Sequence, residues 1–135
     1  LTGAPHTGLY LVDEEADEMY IKAGVGGDTA FLGFRQPRGV GITGRAWDQN
    51  TNLVIEDYAK WDGRMEDFGY VKSVAAIPMR IGSKVIGVLS VSFDEPRAIP
   101  DAEVDLLDRF AQLASIVVQN ARTDRSTVMH IRPRS

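Results

Sequence analysis

Short apolar runs separated by polar turns occupy the chain as far as Phe93, and from Asp101 onward apolar residues recur every three or four positions. The first regime predicts strands and the second a long helix. Gly8-Leu-Tyr-Leu-Val12 and Met19-Tyr-Ile-Lys-Ala23 flank the polar stretch 13–18, which predicts an antiparallel hairpin with an acidic tip. That acidic run reads as a solvated turn rather than a cation site. Residues 24–37 are loop-like, with a short edge strand predicted at Ala30–Phe34. Leu53-Val-Ile55 predicts a brief strand. Residues 59–69 are polar and aromatic without a clean period, which predicts a loop with a short helix.

The strongest strand signal is Ser73–Ile81, then Gly82-Ser83, then Lys84–Phe93. Gly-Ser suits a type II′ turn, so the segment predicts a hairpin. Strict alternation places Val85, Gly87, Leu89, Val91 and Phe93 on one face of the second strand, and Ile86, Val88, Ser90 and Ser92 on the other. Both faces are mostly apolar or small, so the strand is expected to be covered on both sides. Pro78 lacks a ladder donor and marks a bulge or an edge position. Pro100 and Asp101 open the helix, which is expected to end near Arg125. Its apolar stripe is broad, widened by Leu106, Leu113 and Ile116. One side is expected to pack on the sheet and a second to remain for a partner helix. Residues 126–135 read as a linker or tail.

Composition narrows the functional classes. The chain has 135 residues, 44% hydrophobic and 25% charged, with a net charge of −4. This suits one domain with its own core. An acidic balance argues against a general nucleic-acid or anionic-membrane surface. Cysteine is absent, which removes disulfides, thiolate catalysis and Cys-ligated metal. No apolar run approaches the roughly 18 residues of a membrane span, and a cytoplasmic setting is expected. The chain begins at Leu1 rather than Met and is read as part of a longer protein.

Gly39-Val-Gly-Ile-Thr-Gly44 spells the G-x-G-x-x-G pattern of a dinucleotide loop. That chemistry needs a buried parallel strand leading into the glycines. Arg35-Gln-Pro-Arg38 precedes them instead, and Pro37 with two arginines does not suit such a strand. The segment reads as a loop entering a helix that begins near Val40, with the glycines serving backbone geometry.

Taken in order, these pieces resemble a GAF domain. They are Gly8-Leu-Tyr-Leu-Val-Asp13, Gly39-Val-Gly-Ile-Thr-Gly44, Leu53-Val-Ile-Glu-Asp57, Gly69 ahead of Ser73-Val-Ala-Ala-Ile-Pro-Met79, Val85-Ile-Gly-Val-Leu-Ser-Val91, and the Leu106-Leu107 helix ending in Gln119-Asn-Ala-Arg122. The resemblance implies an α+β, GAF/PAS-like fold over residues 1–125. A central antiparallel sheet would carry helices on one face and a loop- and helix-covered ligand pocket on the other. The helix that normally precedes the first strand is reduced here to Leu1–Pro5, so the free side of the long helix is expected in a homodimer contact or covered in trans.

The resemblance also implies a regulatory, non-enzymatic role in a bacterial signalling protein. Ligand binding would be coupled to an output domain such as a histidine kinase or diguanylate cyclase. The alternative is a dimerisation and coupling module without a ligand. Among the family's ligands, covalent bilin needs a cysteine, and GAF-fold methionine sulfoxide reductases use catalytic cysteines. Haem most often needs an axial histidine, and neither His6 nor His130 falls on the expected wall. The family's cyclic-nucleotide motif would fall on Ser92, Phe93, Ile99, Ala102 and Glu103, where only the Glu matches, and Ser90 replaces the acidic purine reader. Correspondence with the family places Val25, Ile42, Thr43, Trp61, Met65, Phe68, Ala76 and Ser90 on the pocket wall. Asp57 and Arg64 would supply charge there, Arg64 suiting a carboxylate or phosphate.

Overall fold

The apolar runs at 8–12, 19–23, 53–55, 73–81 and 84–93 form strands, which hydrogen-bond into one sheet. The computed structural model describes residues 3–131, with the side chains of residue 67 and residues 123–131 outside the description. The elements are β1 (His6–Asp13), β2 (Glu18–Val25), β3 (Arg35–Pro37), α1 (Gly41–Gln49), β4 (Leu53–Ile55), β5 (Ser73–Ile81), β6 (Lys84–Phe93) and α2 (Asp101–Ile131). The sheet order is β3-β2-β1-β6-β5-β4, and all five pairings are antiparallel. The fold is therefore the expected α+β arrangement, and no parallel strand feeds the glycines of 39–44.

Two apolar clusters lie on the two faces of the sheet. On one face Leu107 and Ala111 of α2 are fully buried with Ala75, Ile77, Met79, Leu89 and Val91. On the other, Tyr10, Val12, Met19, Ile21, Val74, Ala76 and Val88 pack with Ile42, Ala46 and Trp47 of α1 and with Tyr58 and Phe68 of the loops. The burial of β5 and β6 on both sides follows from this layering.

The strict alternation expected of β6 fails at one point. Val85 pairs with Arg80 and Gly87 with Met79, leaving Ile86 as an extra residue. This bulge inverts the phase of the strand. Val85 joins the α1 face with Val88, while Ile86 joins the α2 face with Leu89, Val91 and Phe93. Gly87 then lies against the carbonyl oxygen of Tyr10 in β1, where an added Cβ would sit 2.4 Å from it.

Three boundaries differ from the expected ones. Residues 26–31 form a 3-10 turn, and the edge strand falls on Arg35–Pro37 instead of Ala30–Phe34. Gly33, at φ +84°, ends the extended run that the apolar letters suggest. Pro37 is tolerated because β3 pairs on one side only. The long helix continues to Ile131, past the end expected near Arg125, and residues 132–135 of the expected tail lie outside the described residues.

Pro78 is explained by the length of β4, which pairs only with residues 74–76 of β5. Beyond Ala76 that edge of β5 is free, and the missing N–H of Pro78 faces it. The side chain of Gln112 from α2 fills the gap: its amide nitrogen donates to Pro78 O at 3.0 Å, and its oxygen accepts from Arg80 N at 3.0 Å.

Candidate functional site

Two loops close over the α1 face of the sheet. One is the 3-10 turn Gly26–Phe31 after β2. The other runs from β4 to β5 through 3-10 turns at Tyr58–Lys60 and Glu66–Phe68. Aromatic rings fasten them together. Phe31 lies 4.7 Å from Phe68 and 6.1 Å from Tyr70, and Phe34 meets Phe68 edge-on at 5.5 Å. Beneath this lid is a small cavity of about 30 Å³. Ile42, Met65, Phe68, Val71 and Val74 form its apolar wall. Tyr10, Asp28, Gln36, Thr43, Tyr58, Ser90 and Ser92 also reach it, so its lining is unusually polar for a core position.

The first turn of α1 supplies Ile42 and Thr43. Gly39 and Gly41 hold φ of +81° and +69°, which L side chains rarely adopt, and they let the chain turn sharply into the helix. Gly44 packs within reach of Pro37 O, where a Cβ would come to 2.9 Å. The G-x-G-x-x-G letters thus encode a close junction between β3 and α1. Gln36 ties this junction to the cavity, donating to Thr43 Oγ1 and, at 3.2 Å, to Val40 O.

Asp28 is the cavity's one carboxylate, and it is only 3% exposed. The Tyr70 hydroxyl donates to its Oδ1. Its Oδ2 lies over Gly8 of β1, where an added Cβ would come within 2.5 Å, so the absent side chain makes room for the carboxylate. Burial pushes the Asp28 carboxyl above its usual value of 3.8, partly offset by the Tyr70 hydrogen bond and the neighbouring His6. Burial and the Asp28 charge likewise raise the Tyr10 phenol, and burial raises the Tyr70 and Tyr58 phenols. All three tyrosines therefore stay protonated at neutral pH.

His6 anchors the turn that carries Asp28. Its Nδ1 accepts from Gly27 N at 2.7 Å, and its Nε2 meets Asp94 Oδ1 at 2.5 Å. With Nδ1 accepting, the ring proton sits on Nε2 and is donated to Asp94. Tyr70 packs edge-on against the same ring at 4.8 Å.

A carboxylate held this way weakens the fold at neutral pH. We expect Asp28→Asn to raise stability by about 1 kcal/mol at pH 7. The folded state binds the Asp28 proton more tightly than the unfolded chain does. The wild type is therefore least disadvantaged below about pH 4, where both states are protonated, and loses ground as pH rises through the raised folded value. Paired urea titrations of the two proteins from acid to neutral pH check this. A gap that does not grow with pH contradicts it.

Of the residues expected on the wall, Ile42, Thr43, Met65, Phe68 and Ser90 line the cavity. Ala76 is fully buried in the same cluster without lining it. Val25 is 63% exposed at the end of β2 and points away from the core. Trp61 is half-buried against the same cluster without lining the cavity, beside Tyr58 and beneath the Arg45 guanidinium. Arg64 is exposed and donates to Trp61 O at 3.1 Å, and Asp57 pairs with Lys60 at 3.6 Å. The expected anion partner Arg64 is thus outside the cavity, and no lysine or arginine lines it. Tyr10, Asp28, Gln36, Tyr58, Val71, Val74 and Ser92 complete the wall and were not anticipated. A strand pattern read outward from Ser90 would have found Ser92, but nothing in the letters marks Asp28 as buried. Among the described residues, no group of three or more His, Cys, Asp or Glu side chains gathers as a metal site would. No described helix is long and apolar enough to cross a membrane.

Comparison with known proteins agrees with this architecture. The GAF domain family profile matches residues 1–119. GAF domain-containing protein A of Dictyostelium discoideum is 30% identical over 106 residues, spanning 78% of this chain and 65% of that protein's length. The GAF domain of an Acinetobacter phosphoenolpyruvate-protein phosphotransferase superposes with a TM-score of 0.83 at 20% identity, covering 93% of this chain and 77% of that one. Free methionine-R-sulfoxide reductase from Neisseria meningitidis, solved with its substrate, superposes at 0.81 with 22% identity, covering 90% and 71%. At these identities the two superpositions establish the fold alone. The sequence match, the antiparallel sheet and the lidded face together show that this chain belongs to the GAF domain family, the sensory and regulatory modules of signalling proteins.

Proposed function

We propose that this chain senses a small molecule and passes the binding event to an attached output domain, such as a histidine kinase or diguanylate cyclase, in a dimeric signalling protein. The observation that carries the reading is the lining of the cavity. Seven polar side chains, one of them a buried carboxylate, converge where a spacer domain would be packed with apolar groups. The lid gives the change a physical route. Its aromatic rings join the two loops, so a ligand larger than the cavity would part them, and binding would favour one lid position over the other. The exposed apolar face of α2 supports the coupling half of the proposal. Leu106, Phe110, Leu113, Ile116 and Val117 are each 45–69% exposed on one helix, a patch suited to a second copy.

A second reading is a dimerisation and coupling module without a ligand. The small volume of about 30 Å³ favours it. Catalysis is not part of either reading. The reductase that shares this fold acts on free methionine sulfoxide, whereas this chain has no cysteine to supply a thiolate.

A thermal-shift screen with cationic, neutral and anionic metabolites at millimolar concentration separates the two. Sensing requires at least one saturable rise in melting temperature, because a ligand bound only by the folded state stabilises it by mass action. A flat screen, together with a dimer in sedimentation, would establish the coupling module instead.

A further inference from the structure

We propose that the cavity takes the ammonium group of a small amine, with Asp28 Oδ2 as its anionic acceptor. This rests on reading the cavity as a ligand site and adds the ligand's chemical class. Asp28 is 97% buried by area, since only 3% is exposed. Tyr70 occupies Oδ1, and among the described residues no hydrogen bond reaches Oδ2. Asp28 lines the cavity, so its unpaired oxygen is an acceptor that a ligand donor could meet there.

Among the described residues the chain supplies no donor to Oδ2: the neighbouring His6 accepts from Gly27 N at Nδ1 and turns Nε2 to Asp94. No lysine, arginine or histidine lines the cavity. Arg45 instead lies over the Trp61 ring, and Lys60 pairs with Asp57. What does face the cavity suits a cationic donor. The hydroxyls of Tyr10, Ser90 and Ser92 can each accept. A carboxylate or phosphate would meet a like charge at Asp28 and no fixed cation. A volume of about 30 Å³ admits the head of such a ligand. A longer amine would leave its tail between the two loops, where Phe68 must give way.

Backbone amide NMR of the wild type with methylammonium, ethanolamine, acetamide and acetate, at matched ionic strength, tests this. Methylammonium and ethanolamine should shift the amides of residues 27–31 and of Tyr70 saturably, and acetate and acetamide should not. Asp28→Asn, nearly isosteric and still able to accept from Tyr70, should keep the folded spectrum and weaken amine binding at least about tenfold, the worth of one charge-assisted contact. Unchanged amine affinity in Asp28→Asn overturns the assignment of Asp28. Saturation by acetate or acetamide but not by the amines leaves a ligand site of a different class and overturns this inference alone. No binding by any probe, in the wild type or in Phe68→Ala with its enlarged cavity, overturns both the class and the sensing reading.

Discussion

Replacing Gly87 with alanine is expected to lower the stability of the fold by about 3 kcal/mol, read as a fall of about 10 °C in melting temperature or as an earlier urea midpoint. The reason is local and rigid. The bulge at Ile86 brings Gly87 onto β1, and a methyl group there would stand 2.4 Å from Tyr10 O, with Leu11 and Met79 side chains at 3.3 and 3.4 Å. Backbone cannot swing aside as a side-chain tip can. The strand would have to leave its partner, in the middle of the sheet and directly behind the Tyr10 ring that lines the cavity. Gly69→Ala is the matched control. Gly69 sits at φ −61°, ψ −19°, and its added Cβ would meet nothing closer than 3.6 Å. It should be neutral or stabilising by about 0.5 kcal/mol through the unfolded chain. Equal effects at the two glycines would contradict the close approach.

Leu107→Ala should cost about 3 kcal/mol, since it opens a cavity between α2 and the sheet where the side chain is fully buried. The same helix offers the contrast. Leu113, 65% exposed, should change the stability of the isolated chain by less than about 0.5 kcal/mol when replaced by alanine. The two faces of α2 thus separate in one experiment: one holds the domain together, and the other is free for association. Urea unfolding of both variants at low protein concentration reads this directly, and a large loss at Leu113 would show that its face is already in use.

The elements with long apolar periods were legible from the sequence, and so was their order. The β5–β6 hairpin rests on two extended runs about Gly82-Ser83, and Gly82 holds φ +62° while Ser83 does not adopt positive φ, as a type II′ turn requires. The start of α2 at Asp101 follows from Pro100 and the first acidic residues. The β6 bulge was not legible. Nothing in Lys84–Phe93 announces an extra residue, because both faces of a doubly covered strand carry apolar letters and alternation has no contrast to reveal the slip. β3 was missed for the opposite reason. Arg35 and Pro37 look unfit for a strand, and only the one-sided pairing with β2 makes them acceptable. The site divided in the same way. Residues on regular elements, Ile42, Thr43 and Ser90, were placed correctly by the family resemblance, because it carries over where the elements coincide. Val25 and Arg64, on strand ends and loops, were not. Asp28 was hidden because a charged residue in a Gly-rich loop reads as solvated, and its burial depends on Gly8 twenty positions earlier in a neighbouring strand.

The Gln112 bridge has a consequence for assembly. A sheet edge with unpaired N–H and C=O groups is a template on which another chain can add a strand and start a fibril. Both outer strands here are three residues long, and one contains Pro37. The longer exposed margin, along β5 beyond β4, combines a missing donor at Pro78 with a helix side chain that occupies the neighbouring acceptor and donor. The molecule is thereby guarded against edge-to-edge polymerisation, and a change such as Gln112→Ala would remove a safeguard against aggregation as well as a pair of hydrogen bonds.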